Sequence, residues 1–228
     1  MTRSDRWFVV AVLGGILAVI ITAVIALGWG RKDVSPPDLQ DSPNPAIPGD
    51  ILYVDRDSCI ILARASGESR RQVACTGISP RLLFFLDASR IAYVDSVPSL
   101  ETLVTIDLET GRELGRTPYK GDRPFLLQTA PDGTQAFQRD DGRIQLINVG
   151  QVVAELKFDG LDWGPQLAGW SPDSQWLAVI YYPPRGRAPE LWLVSRDGST
   201  RGTLARDSGG SAVAWRIPGV GAWPPPPD

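Results

Sequence analysis

The chain has 228 residues, with 23 basic and 26 acidic side chains, no histidine and a net charge of −3. Without histidine it cannot supply a Ser-His-Asp triad, a Cys-His pair or a histidine-based metal site. The slightly acidic balance also argues against nucleic-acid binding, which requires a concentrated basic face.

One long apolar segment stands near the N-terminus, at residues 7–29 (WFVVAVLGGILAVIITAVIALGW), and it contains no charged side chain. As a helix it would extend about 34 Å, enough to cross the hydrocarbon core of a bilayer. The apolar part of a signal peptide is usually shorter. We therefore interpret the segment as a retained transmembrane helix that follows a short cytoplasmic head, residues 1–6. A cleaved signal peptide and a buried helix are the alternatives.

Orientation in the membrane is weakly encoded, because basic residues flank the apolar segment on both sides and nearly cancel the positive-inside signal. The short head and a pair of cysteines in the body favour a C-terminal domain outside the cytoplasm. We expect a single-pass protein of the cell membrane.

Proline-rich segments border the body of the chain. Residues 30–48 contain five prolines and few apolar side chains, so we predict a semi-extended tether. Residues 218–228 end in WPPPPD and predict a second extended segment, with a ligand for a proline-recognition domain as the alternative.

Residues 49–217 show almost no helical periodicity. Short alternating or β-branched runs recur, and Gly, Pro, Asp and Ser separate them at hairpin spacing, which is typical of an all-β domain. The clearest runs are residues 51–55, 90–95, 102–108, 143–149, 176–182 and 190–195.

An internal repeat organises these strands. Asp87, Asp132 and Asp173 lie in three similar turns, FLDASRIAYV, TAPDGTQAFQ and WSPDSQWLAV, and PGDILYV at 48–54 is a reduced fourth copy. Each turn is followed by a strand and a second turn, usually with glycine. The repeat predicts a four-stranded antiparallel meander of about 42 residues that must stack on its neighbours.

The segments SPDSQWLAV and APDGTQAF, each followed by a short strand and a second turn, resemble the TolB-type, WD-like β-propeller repeat. The resemblance implies a small propeller of about four four-stranded blades. It also implies a role as an envelope interaction protein, a peptidase appendage or a sensor. The Gly-His and Trp-Asp pairs of the WD branch are absent.

The positions in the repeat at which the domain begins and ends predict how the ring closes. The domain opens at Ile51 with the second strand of a blade and ends with SAVAW, residues 211–215, which matches a first strand. We expect the last strand to complete the first blade, which leaves only short, protected edges. An open arc or an assembly of two chains is the alternative.

The repeated aspartates are interpreted as turn formers that accept hydrogen bonds from backbone amides. A ring of carboxylates around the axis is the alternative. The acidic pairs Asp55 with Asp57 and Asp140 with Asp141 are also interpreted as solvated turn residues, although such pairs could serve a glycosidase. No run resembles a calcium loop, and we expect no metal and no cofactor.

One face of the predicted propeller consists of the loops between the second and third strands and the loops between blades. Its most elaborate loop is YYPPRGRAPE, residues 181–190, near residues 119–123, 159–163 and 206–208. Tyr, Trp and Arg are enriched at interaction hot spots. The candidate binding residues are Tyr181, Tyr182, Arg185, Arg187, Trp163 and Arg123. A variable surface loop without function is the alternative.

These features predict a membrane-tethered extracytoplasmic β-propeller that binds a protein or other envelope ligand and is not an enzyme. Its partners would be the membrane, through residues 7–29, and another envelope protein, with self-association left open. One alternative is a sensor that signals through a membrane partner, and another is a carboxylate-dependent, glycosidase-like hydrolase.

Cys59 and Cys75 are centred on Gly67, inside the turn ASGES, and would face each other across a hairpin. Cα atoms of such pairs lie about 4.5–5.5 Å apart, a distance suitable for a disulfide. We predict this disulfide in the first blade. Two reduced thiols in a cytoplasmic domain are the alternative.

Thiol labelling of the unfolded, unreduced protein should therefore detect no free cysteine, whereas labelling after reduction should detect two. The protein must be purified under alkylating conditions, so that oxidation after lysis does not create the bond. Two labelled cysteines without reduction would contradict the disulfide and remove the main support for export, because cytosolic thiols are kept reduced.

Overall fold

The computed structural model describes residues 35–97, 100–119, 128–139, 141–158, 165–183 and 187–227. These residues belong to one compact unit, residues 35–228. No helix in this part of the chain is both long and apolar enough to cross a membrane. The predicted transmembrane helix and the cytoplasmic head lie outside the described residues.

The fold is all-β, as the sequence predicts, and the described strands form four antiparallel sheets. Numbered along the chain, the strands are β1 (Asp50–Asp55), β2 (Cys59–Arg64), β3 (Arg70–Cys75), β4 (Leu83–Phe85), β5 (Arg90–Val97), β6 (Leu100–Asp107), β7 (Glu113–Pro118), β8 (Gln135–Gln138), β9 (Arg143–Asn148), β10 (Gln151–Lys157), β11 (Gln166–Trp170), β12 (Trp176–Tyr181), β13 (Glu190–Ser195), β14 (Arg201–Ala205), β15 (Ser208–Ile217) and β16 (Gly221–Trp223).

The first sheet contains both ends of the described chain. Its strand order is β16-β15-β1-β2-β3, and β15 pairs antiparallel with β1 so that Trp215 lies opposite Ile51. The prediction that residues 211–215 return to pair with the strand at Ile51 is confirmed. We call this sheet 1.

The remaining sheets follow the repeat. Sheet 2 has the order β4-β5-β6-β7 and sheet 4 the order β11-β12-β13-β14, which are the meanders that the sequence predicts. Sheet 3 has the order β8-β9-β10, and the position before β8 is represented, among the described residues, by a single bridge between Thr129 and Gln135.

Strand β15 forms a wall shared by two hydrophobic cores. Val213 and Trp215 pack in the core between sheets 1 and 4, and Ala212 and Ala214 pack in the core between sheets 1 and 2. Successive side chains of a strand point to opposite faces of its sheet. A sheet with both faces buried needs apolar residues at successive positions, and residues 212–215 (AVAW) provide them.

Residues 36–48, which we call the strap, differ from the extended tether expected at residues 30–48. The Leu39 amide donates to the Thr203 carbonyl at 2.9 Å, and the Thr203 amide donates to the Pro37 carbonyl at 2.9 Å. The strap therefore adds one parallel bridge to the outer edge of β14. Prolines suit this place because their carbonyls accept hydrogen bonds while they need no partner for an amide.

Two apolar side chains hold the strap between sheets 4 and 1. Leu39 is 2% exposed and Ile47 is 1% exposed, and both belong to the core that these sheets share. A Cβ atom at Gly202 would lie 2.5 Å from Leu39 Cδ2, so glycine is required where the leucine enters. Proline content predicted an extended backbone here, but the burial of Leu39 depends on sheets that are distant in sequence.

The C-terminal segment also belongs partly to the fold. Strand β16 pairs with the end of β15, with Trp223 opposite Trp215, and Pro224 is buried. The extended tail expected from residue 218 therefore begins with a short hairpin on sheet 1.

The strap should contribute measurably to stability. Leu39→Ala is expected to lower the free energy of unfolding by about 2–3 kcal/mol, because it removes a fully buried leucine and leaves a cavity. Urea unfolding followed by tryptophan fluorescence measures this change. Leu114→Ala, at a leucine that is 47% exposed, is the matched control and should change the free energy by less than about 1 kcal/mol. Equal losses in both variants would contradict a docked strap.

Candidate binding site

A cavity of about 570 Å³ opens where the inner strands of the sheets begin. Its volume lies within the range of small-ligand and peptide sites, about 300–1,000 Å³. Each of the four sheets, with the loops that lead into them, contributes residues to its wall. They include Arg81, Glu101, Tyr119, Gln138, Gln166 and Gly210.

The described wall of the cavity mixes apolar side chains with polar ones and carries no net charge. Arg81 Nη1 lies 3.1 Å from Glu101 Oε1, so these opposite charges form an ion pair. Carboxamides from Gln128, Gln138 and Gln166 supply both hydrogen-bond donors and acceptors. The described wall therefore favours a ligand without a strong net charge.

Tyr182 connects the predicted loop at residues 181–190 to the cavity. Its hydroxyl donates to Gln166 Oε1 at 2.9 Å, and its side chain is 37% exposed. Burial raises the pKa of Tyr182, so the hydroxyl stays protonated near neutral pH. Tyr182 is thus accessible beside the cavity, and its role in binding stays a prediction.

Tyr181 is a correction to the predicted binding residues. It is completely buried and packs on Trp192, with ring centroids 4.1 Å apart. Trp192 Nε1 donates to Glu190 Oε2 at 2.8 Å, so both ends of the loop are held at its base. Tyr181 is the last residue of β12 and continues the fully buried pattern of that strand.

The other candidate residues have different outcomes. Arg187 is exposed on the same loop. Arg185, Trp163 and Arg123 lie outside the described residues. The sequence analysis missed the residues of the cavity wall, because Arg81, Gln138 and Gln166 come from different repeats. No motif marks these residues in the sequence. Each of them lies at or near the end of a strand.

The aspartate turns lie at the opposite ends of the strands from the cavity. Asp87 Oδ1 accepts hydrogen bonds from the amides of Ser89 and Arg90, each at 2.8 Å. The Arg90 side chain and then the Ser89 amide lower the pKa of Asp87 to about 2. Asp173 likewise accepts from the Gln175 amide at 3.1 Å. The aspartates are turn formers, and no cluster of acidic side chains suited to a metal ion occurs among the described residues.

Asp132 has a further role, because it joins sheets 3 and 4. Arg196 of sheet 4 donates to Asp132 Oδ2 at 2.6 Å and to Thr134 Oγ1 at 2.7 Å. The Asp132 amide donates to Ser174 Oγ at 3.1 Å. Burial opposes ionisation of Asp132, but hydrogen bonds from the Thr134 amide and the Arg196 side chain outweigh it and lower the pKa of this carboxyl.

The acidic pairs also have structural partners. Asp55 Oδ1 accepts from the amides of Asp57 and Cys59 at 3.0 and 2.8 Å, which closes the turn between β1 and β2. Asp141 lies 3.3 Å from Arg143, and Asp140 is outside the described residues. The register of β2 and β3 places Cys59 opposite Cys75, and a disulfide joins them.

Neither a protein-family model nor a curated protein matches this chain. Among solved structures, TolB from Acinetobacter baumannii is 20% identical, with a TM-score of 0.28, and the match covers 79% of this chain and 50% of that chain. The putative TolB from Agrobacterium tumefaciens is 17% identical, with a TM-score of 0.23, over 66% of this chain and 58% of that one. The tricorn protease is 13% identical, with a TM-score of 0.29, over 79% and 18%.

The chain thus spans about half the length of these TolB proteins. Similarities with TM-scores of this size assign neither a fold nor a function. The functional argument for this chain therefore depends on its own residues.

The contact between sheets 3 and 4 predicts a pH-dependent stability. Asp132→Asn should lower the free energy of unfolding at pH 7 by about 1 kcal/mol, less than for a buried pair because solvent screens the partly exposed carboxylate. Since the pKa of Asp132 is lower in the folded protein, its contribution is present above the unfolded value near 3.8 and disappears as pH falls through the folded value.

Urea unfolding of the wild type and of Asp132→Asn at pH 7 and pH 2.5 tests this expectation, because the difference between the proteins should shrink at acid pH. Asp141→Asn is the control, since its carboxylate lies in a surface pair with Arg143. If the wild type and Asp132→Asn differ in free energy of unfolding by the same amount at both pH values, a role for the ionised carboxylate is contradicted.

Proposed function

We propose that this protein is a membrane-tethered, extracytoplasmic β-propeller with four blades, each sheet forming one blade, that binds a protein partner and catalyses no reaction. The observation that carries this proposal is the cavity without net charge among its described residues, to which all four sheets contribute. A site shared by every blade lies near a common axis, where a propeller can present one continuous binding surface.

The wall chemistry supports binding over hydrolysis. Among the described residues of the cavity, Glu101 is the one carboxylate, and it forms an ion pair with Arg81. A glycosidase needs two carboxylates about 5–9.5 Å apart, one of which acts as an acid. The described wall offers polar, uncharged groups that recognise a ligand instead.

The proposed location outside the cytoplasm rests on two features. The Cys59–Cys75 disulfide is typical of oxidising compartments. The apolar segment at residues 7–29 has the length of a transmembrane helix. Together they support a folded domain that is exported and stays attached to the membrane.

The proposed contact surface combines the cavity with the loop that contains Tyr182 and Arg187. Tyrosine and arginine are enriched among residues that dominate binding energy. Tyr182 touches the wall through Gln166, and Arg187 is exposed three residues before β13 begins. A protein partner could therefore contact the loop and the cavity at the same time.

A pull-down with residues 35–228 tests the proposal, because this fragment keeps the strap that a shorter fragment would lose. The double variant Tyr182→Ala and Arg187→Ala should recover at least about tenfold less partner, the effect of losing about 1.4 kcal/mol or more of binding energy. Mass spectrometry of the captured proteins, extracted from envelopes of the source cells, provides the measurement.

The control is the double variant Arg112→Ala and Val220→Ala, whose exposed residues lie at the opposite end of the strands from the cavity. It should recover as much partner as the wild type. Equal recovery by both double variants would show that this loop is not the contact surface.

Replacement of residues 7–29 by an unrelated anchor distinguishes a binder, which keeps working, from a sensor that signals through the membrane.

A further inference from the structure

One arginine, Arg206, connects the strap to the base of the candidate loop at residues 181–190. Its Nε donates to Asp38 Oδ2 of the strap at 2.9 Å, and its Nη1 lies 3.6 Å from Glu190 Oε1 at the end of the loop. The other oxygen of Asp38 accepts from the Gln40 amide at 3.0 Å, so a turn of the strap itself orients this carboxylate. One guanidinium is therefore shared by a carboxylate of the strap and a carboxylate of the loop.

Glu190 depends on these partners because it is buried. It is 3% exposed, and a buried carboxylate is unfavourable unless hydrogen bonds and an opposite charge replace the lost water. Trp192 Nε1 donates one hydrogen bond at 2.8 Å, and Arg206 brings a positive charge. The Arg206 side chain is 48% exposed, so its bond to Asp38 restricts a long and well-solvated group to a position beside Glu190.

Glu190 also belongs to the end of the hairpin from which the loop emerges. It lies opposite Tyr181 in the ladder between β12 and β13, and this pair is the last one before the loop. Tyr182 follows directly, and its hydroxyl donates to Gln166 in the cavity wall. Movement of Glu190 toward water would therefore loosen the last pair of the ladder and shift Tyr182 relative to the cavity.

The strap is able to open without separating the sheets. Its backbone joins β14 through one parallel bridge, at Asp38 and Thr203, whereas β13 and β14 pair along most of their length. Segments with few main-chain hydrogen bonds open at a lower free energy than the strands on which they lie. Docking and release of the strap are thus two states of an otherwise intact fold.

We propose that Arg206 is a positioning residue through which docking of the strap orders the candidate loop. When the strap is docked, Asp38 holds Arg206 beside Glu190 and the end of the hairpin stays closed. When the strap is released, Arg206 loses this restraint and the end of the hairpin opens more often. Coupling of this kind is reciprocal, so a partner that orders the loop also stabilises the docked strap. Only the binding role of the loop rests on the proposed function.

Hydrogen exchange, measured by mass spectrometry on the full-length protein in detergent, tests this coupling without an identified partner. Asp38→Asn removes the charge of the strap and keeps Leu39 in place, and Leu39→Ala loosens the strap without altering Arg206. Both variants should raise the exchange rate at residues 181–183 and 187–192 by at least about threefold. The increase should exceed any change in β5 and β6, which report a general loss of stability.

Substitutions of Arg206 separate coupling from independent local effects. Arg206→Ala should raise exchange in the loop, and adding Asp38→Asn to it should raise exchange no further, because the two residues act through one contact. Arg206→Lys keeps the charge and should exchange more slowly in the loop than Arg206→Ala. Arg64→Ala is the matched control, since Arg64 is 51% exposed and pairs with Asp50 at 3.0 Å, and it should leave loop exchange unchanged.

Reciprocity provides a measurement at the other end of the contact. Glu190→Gln removes the charge of the loop and keeps an oxygen that accepts from Trp192. The Leu39 amide donates to the Thr203 carbonyl when the strap is docked, so its exchange reports release of the strap. Glu190→Gln should therefore raise the exchange rate of the Leu39 amide.

The proposal is overturned if Asp38→Asn leaves loop exchange at the wild-type rate, or if exchange rises equally in the loop and in β5 and β6. It is also overturned if Asp38→Asn adds to the effect of Arg206→Ala, if Arg64→Ala has the same effect as Arg206→Ala, or if Glu190→Gln leaves strap exchange unchanged. If Leu39→Ala does not fold, Asp38→Asn provides the decisive measurement.

The proposed function fails separately. If the variants of Tyr182 and Arg187 capture the same proteins as the wild type, the loop is not the contact surface, whatever hydrogen exchange shows. If loop exchange does not respond to the strap while partner capture still depends on the loop, the coupling is wrong and the binding function stands.

Discussion

The pairing of β15 with β1 is the constraint on which the rest of the structure depends. It brings residues about 160 positions apart into one sheet, with Ile51 opposite Trp215. Since both strands have apolar side chains on both faces, sheet 1 can bury one face against sheet 2 and the other against sheet 4. The loss of apolar surface from water is the main favourable contribution to such an arrangement. Without this pairing, both cores would lose a wall.

The strap strengthens the same junction from outside. Leu39 and Ile47 extend the core between sheets 1 and 4, and the Arg206 side chain links the strap to the loop below the candidate site. Arg206 Nε donates to Asp38 Oδ2 at 2.9 Å, and its Nη1 lies 3.6 Å from buried Glu190. Residues from both ends of the domain therefore meet at one junction, and Glu190, the last residue of the candidate loop, lies beside it.

The aspartate turns and the candidate binding cavity lie at opposite ends of the strands. Asp87, Asp132 and Asp173 close hairpins at one end, where Asp132 also joins neighbouring sheets through Arg196. At the other end, the inner strands begin around the cavity, whose described wall has no net charge. The turn motif that is most visible in the sequence is therefore a part of the scaffold. The polar residues of the cavity have no recurring motif, because they come from several repeats and occupy different positions in them.

The sequence by itself determined the strands, the aspartate turns, the opposition of Cys59 to Cys75 and the return of the last strand to the first sheet. These features depend on alternation, on turn chemistry within a few residues and on the phase of a repeat. The tertiary structure alone decided that Tyr181 is buried against Trp192, that Leu39 docks between two sheets, and that Arg81, Gln138 and Gln166 share one cavity. Such contacts depend on which surfaces remain exposed after the sheets have packed, and no local pattern encodes that outcome.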